Sequence, residues 1–148
     1  MMPSRRRCLV ASLGVPLAAW CSAAAAADLA DRDARQVRQV VESQLQAMAD
    51  GDGDKAFSYA SAAIRAQFGN AARFMAMVLG AYPMVVRPAA TVFYRATSAR
   101  DGQAQQVVQL RDAQGGLWRA TYLLVRPADG HWRIAGCVVA PDSPVNST

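Results

Sequence analysis

The hydrophobic period changes once along this 148-residue chain, close to Gly80, and that change limits the fold more than any motif does. Upstream, apolar residues recur at spacings of three and four. Val37, Val40, Val41, Leu45 and Met48 make one such stripe over 31–50, with Arg35, Arg38, Glu42 and Gln46 on the opposite side. Downstream of Tyr82-Pro83, short runs rich in β-branched and aromatic residues are separated by turn signals. A chain that places its helices before its strands is not an alternating α/β fold. The predicted class is α+β, with N-terminal helices packed on an antiparallel sheet of about four strands.

The first predicted helix carries Asp28, Asp31 and Asp33 at its start, where the helix dipole favours negative charge. Glu42 stands four residues after Arg38, placed to pair with it on the solvated face. The glycines of Asp50-Gly51-Asp52-Gly53-Asp54 stop this helix, and Asp54 is expected to cap the next. Alternating aspartates invite comparison with a calcium loop. Such a loop needs glycine at its sixth position and glutamate at its twelfth, where this chain has Lys55 and Ser61, so no metal site is expected. Phe57, Ala60, Ile64 and Phe68 predict short helices up to Gly69-Asn70. Phe74, Met75, Val78 and Leu79 predict a further helix from Ala71. An extended segment is predicted over 85–97, interrupted by Pro88, then strands over 105–112, 117–126 and 131–140.

The first 27 residues read as an address rather than as fold. Arg5, Arg6 and Arg7 precede an uncharged run from Leu9 to Ala27 that ends small-x-small, which predicts a secretory signal cleaved between Ala27 and Asp28, with Ala25 as the other small residue. Arg5 and Arg6 before Cys8-Leu9 also partly match a twin-arginine export signal, and an ordinary secretory n-region remains an equal alternative. The expectation is a periplasmic or secreted domain over 28–141 with a polar tail over 142–148, touching the membrane only through its leader. Of the 16 basic residues three lie in that leader and none of the 11 acidic ones do, so the formal charge of +5 becomes +2 once it is removed. Dispersed arginines at that charge give no footprint for nucleic acid. Cleavage would also remove Cys8 and Cys21. Cys137 would then stand alone, with burial favoured over an intermolecular disulfide.

Several phrases resemble a known bacterial family. Ala56-Phe57-Ser58-Tyr59-Ala60-Ser61, Ile64-Arg65-Ala66-Gln67-Phe68-Gly69 and Arg73-Phe74-Met75-Ala76-Met77-Val78 are similar to domain of unknown function 4864. Tyr82-Pro83, Val86-Arg87-Pro88 and the closing Gly130-His131-Trp132-Arg133-Ile134-Ala135-Gly136-Cys137 fit the same pattern, so that the likeness spans 37–141. The family resembles the nuclear-transport-factor-2-like (cystatin-like) architecture. That resemblance implies a strongly curved sheet wrapped around the N-terminal helices as a cone, often with a pocket. It implies nothing about chemistry.

The residues themselves argue against catalysis. Every carboxylate falls at a helix start, on a polar helix face, in a loop or near a strand end, and the lone His131 follows a turn. No serine has a histidine at motif spacing, and neither a phosphate loop nor a pair of metal ligands is present. No cofactor is expected. Alternation places Trp118, Ala120, Tyr122 and Leu124 on one face of the third predicted strand. Trp132, Ile134, Gly136 and Val138 share a face of the last, opposite Arg133, Ala135, Cys137 and Val139. Both faces of the sheet are apolar at mid-strand, which predicts helices on one and a second copy of the chain on the other. The favoured reading is a binding or interaction module for a small apolar molecule or a partner protein, with Phe74, Trp118, Tyr122 and Trp132 as candidate pocket residues. The alternatives are a small isomerase- or hydrolase-like enzyme using Tyr94, Tyr122 or His131, and a purely structural dimer.

Overall fold

The structure, a computed structural model, describes residues 28–143. The expected leader, with Arg5, Arg6, Ala25 and Ala27, lies outside the described residues, as does the tail from 144. Four helices, α1 (Asp31–Ala49), α2 (Gly53–Ser58), α3 (Ala62–Phe68) and α4 (Ala71–Ala81), lead through a 3-10 turn at Pro83–Val85 into five strands. These are β1 (Ala90–Phe93), β2 (Thr97–Arg100), β3 (Gln103–Arg111), β4 (Leu117–Val125) and β5 (Arg133–Pro141). The class is α+β, with an open antiparallel sheet in the order β1-β3-β4-β5.

The fifth strand comes from the extended segment expected over 85–97 with an interruption at Pro88. Pro83 starts the 3-10 turn instead, and β1 and β2 are two pieces of one edge, both paired with β3. The edge breaks at Tyr94-Arg95-Ala96. There the fully buried Gln106 of β3 donates from its amide to the carbonyls of Tyr94 (2.6 Å) and Val107 (3.0 Å), a side chain in place of ladder bonds. Arg95 meanwhile reaches Leu29 O and the Asp31 carboxylate, which anchors the start of α1 to the sheet edge.

Helix boundaries follow local chemistry. Arg38 and Glu42 pair at 2.8 Å along the exposed face of α1, as their spacing predicts. Gly51, at φ +73°, turns the chain sharply after α1. The next helix therefore begins at Gly53, one residue before the expected cap, and Asp52 rather than Asp54 caps it by accepting from Lys55 N. Any Cβ at Gly53 would stand 2.9 Å from Met75 Cγ, so this glycine lets α2 and α4 approach. Leu79, expected on the apolar face of α4, is instead exposed.

The core lies between the helices and the inner face of the sheet. Val37, Val41, Leu45 and Met48 of α1 meet Ala104, Val108 and Leu110 of β3, together with Ala120, Tyr122 and Leu124 of β4. Strict alternation holds through β3 and β4. It fails in β5: Leu124 pairs with Ile134 but Leu123 pairs with Gly136, leaving Ala135 as the extra residue of a bulge. Beyond the bulge the faces exchange. Cys137 and Val139 join Trp132 and Ile134 against the core, while Val138, expected beside Ile134, points out and is 68% exposed.

Candidate functional site: an uncharged cavity under the sheet

The bulge at Ala135 creates the site. It turns Cys137 inward, directly across the β4–β5 ladder from Tyr122, and these two residues form part of the wall of a cavity of about 90 Å³. The rest of the sheet wall is Ile134, Gly136 and Val139. Helix α1 contributes Gln44 and Met48, α3 contributes Ile64 and Phe68, and α4 contributes Phe74, Met77 and Val78. Ala60, Tyr82 and Val85 complete the lining. Phe74 is fixed by two ring contacts, to Phe57 (5.4 Å between centroids) and edge-on to Phe68 (5.7 Å).

None of these fifteen residues carries a charge. The polar side chains are those of Tyr82, Tyr122, Cys137 and Gln44. Gln44 is buried and donates to Ala56 O at 3.2 Å, which leaves its own carbonyl oxygen as an acceptor. Burial pushes the Cys137 thiol up to about 12, against a smaller downward pull from its hydrogen bond with Tyr122. Tyr122, 2% exposed, is raised well above 10 by burial and then by its thiol neighbour. Both groups are therefore protonated at neutral pH. Neither is a base or an activated nucleophile there.

The four candidate pocket residues are not brought together. Phe74 and Tyr122 line the cavity. Trp118 does not, because its indole N–H donates to Asp112 at 2.8 Å at the far end of β4. The same carboxylate accepts from Gly116 N and Gln114 N, and these bonds, that of Trp118 first among them, lower the pKa of Asp112. Trp132 sits away from the cavity beneath Arg126, whose guanidinium lies 5.0 Å from its ring. Tyr94 is exposed on the outer face under Arg119, and His131 is exposed in the turn before β5, where its N–H bonds Asp129. Tyr94, Tyr122 and His131 thus occupy three separate places. Among the described residues, no three His, Cys, Asp or Glu side chains gather as a metal site requires.

Gln44, Ile64, Phe68, Met77 and Cys137 were not among the expected site residues. For Cys137 the sequence does hold a signal, since a glycine within a strand often marks a bulge, and Gly136 is next to the extra residue. For the helix residues nothing distinguishes a side chain facing a cavity from one facing packed core.

An α+β domain with helices on one face of an antiparallel sheet and an uncharged cavity between the two layers is the class so defined. Residues 30–147 match the family described as Domain of unknown function (DUF4864), and the chain belongs to that family. No curated protein matches it. A solved structure from Catenulispora acidiphila, described as a complex with S-DNPA, is similar over 71% of this chain and 90% of that one. The identity is 16% and the TM-score 0.46, too distant for that ligand to be carried over.

Proposed function

We propose that the domain is an exported binding module for a small, uncharged, apolar molecule, held between helices and sheet, with no catalytic step of its own. The observation that carries this is the cavity of about 90 Å³ whose lining has no charge and whose buried Tyr122 and Cys137 stay protonated at neutral pH. Apolar ligand surface gains roughly 25 cal/mol per Å² on entering such a site. An ionised ligand would lose its hydration and find no counter-charge. The Tyr122 hydroxyl, the Cys137 thiol and the Gln44 carbonyl offer one neutral hydrogen-bonding corner, enough to orient an alcohol or a ketone. The separation of Tyr94, Tyr122 and His131 weighs against the enzyme alternative. Export to the periplasm is supported by Arg5–Arg7 and the apolar run to Ala27. Kinship with the nuclear-transport-factor-2-like architecture is supported by the order of helices and meander.

The test compares benzene with benzoate, which share a ring and differ in one charge. At ten times its dissociation constant, benzene raises stability by about 1.4 kcal/mol, a shift in Tm of roughly 3–7 °C for a domain of this size. Benzoate has no effect. Stabilisation by benzoate alone, or by neither, refutes the reading. Val139→Phe, which fills the cavity from its half-buried rim, removes the benzene shift while the protein still unfolds cooperatively.

A second copy of the chain is the partner we propose for the outer face of the sheet. Tyr94 (44% exposed), Leu123 (38%) and Val138 cluster there with Val107 and Thr121. Arg119 and Asp142 pair beside that patch, and a two-fold axis running between them would set each charge opposite its complement on the other copy.

A further inference from the structure

We propose that α3 is the gate of the cavity, swinging between Ser61 and Gly69 to admit ligand while the sheet wall stays fixed. The inference rests on the binding role argued above and assigns the moving part of that site.

The cavity is small. An apolar cavity that takes up benzene measures about 150 Å³, so about 90 Å³ admits a ring only if a wall gives way. The walls differ sharply in what holds them. Tyr122 and Cys137 pair across the β4–β5 ladder, Ile134 pairs with Leu124 and is bonded on its other side to Tyr59 and Ser61, and α1 is a helix of 19 residues with seven of them buried. Helix α3 has seven residues, none buried. It touches the rest of the fold chiefly through α4 and β5. Two of its side chains, Ile64 and Phe68, face the cavity, and the other five are exposed. A helix this short has little intrinsic stability, so its place depends on those two contacts.

Both ends of α3 suit a hinge. At the start, Ser61 is clamped, its N–H donating to Ile134 O at 2.8 Å while its hydroxyl caps Ile64 N. At the other end Gly69, at φ +78°, breaks the chain between α3 and α4, and Asn70 caps α4 independently by accepting from Arg73 N. The segment can therefore tilt without uncapping α4 or breaking the β4–β5 ladder. Tilting carries Ile64 and Phe68 out together and separates Phe68 from its edge contact with Phe74.

The chain carries its own pair of probes. Ile64 and Ile134 are its only isoleucines, both line the cavity, and one sits on the gate while the other sits on the sheet. In the full chain with isoleucine δ1 methyls labelled, relaxation dispersion is measured first without ligand and then with saturating benzene. The expected result is microsecond-to-millisecond exchange at Ile64 and none at Ile134 in the free protein, with benzene shifting both resonances and suppressing the exchange at Ile64. If benzene shifts both methyls but Ile64 shows no exchange, the gate is wrong and the cavity still binds. Dispersion at Ile134 as large as at Ile64 means that the whole cavity breathes, which also overturns the gate. If benzene shifts neither methyl, the binding reading falls and the gate with it.

Discussion

At pH 8 an ordinary cysteine titrating at 9.0 is about one-tenth thiolate, whereas a thiol held up to about 12 is thiolate in roughly one molecule in ten thousand. Cys137 is therefore expected to react with iodoacetamide about a thousandfold more slowly in the folded protein than in denaturant, followed by peptide mass mapping at that residue. The native rate should also keep rising by about tenfold per pH unit past pH 9, where the unfolded chain has levelled off. The same shift makes a stability claim whose sign is fixed. The folded state holds the proton more tightly, so this contribution is complete below pH 9 and is lost as pH rises towards about 12. Three units at about 1.4 kcal/mol each give roughly 4 kcal/mol by the end of that window. Tyr122 acts in the same direction from about pH 10 upward, so Cys137→Ala should move the onset of alkaline destabilisation from near 9 to the tyrosine range. A native alkylation rate within tenfold of the unfolded one, or a native rate that levels near pH 9, refutes the picture of a thiol buried against Tyr122 in an uncharged wall.

Three further expectations concern the frame around the cavity. Leu124→Ala removes a fully buried side chain from the centre of β4 and should cost about 2–5 kcal/mol in chemical denaturation. Asp112→Ala should lower Tm at neutral pH by freeing the Trp118 indole and the turn amides. Because the pKa of Asp112 is depressed in the fold, its contribution is present above the unfolded value of 3.8 and lost as pH falls through the lower folded value, so wild type and variant should converge in acid. Val138→Asp, on the outer face, should leave the unfolding free energy of the monomer within about 0.5 kcal/mol of wild type while abolishing the dimer in sedimentation. A wild-type monomer at micromolar concentration would refute the dimer itself.

Much of the frame is legible in the residues. The stripe from Val37 to Met48 specifies α1, the change of period near Gly80 specifies the class, and alternation in β4 puts Trp118, Ala120, Tyr122 and Leu124 on one face, which the structure turns inward. Local patterns fail where a long-range contact decides. The break at Tyr94-Arg95-Ala96 exists because Gln106, a dozen residues away, supplies bonds that a strand partner would otherwise make. The bulge at Ala135 exchanges the faces of β5, whereas a strictly alternating reading keeps Val138 on the side of Ile134 and sets Cys137 opposite. Trp118 and Trp132 attract notice as large aromatics. Their surroundings, an acceptor at Asp112 for one and Arg126 for the other, are set by how the turn just before each strand folds back on it. A cavity is in any case a property of what fails to fill a space, and no single residue announces it.

A binding role requires an apolar, accessible void bounded by Phe74, Tyr122, Ile134 and Cys137. Crystals pressurised with xenon test it most directly, since xenon enters apolar cavities and scatters strongly enough to be located without ambiguity. One dominant xenon position is expected between the sheet and α4, in contact with Phe74 and Ile134, and Val139→Phe removes it. Xenon bound elsewhere, with that space filled by side chains, would contradict it.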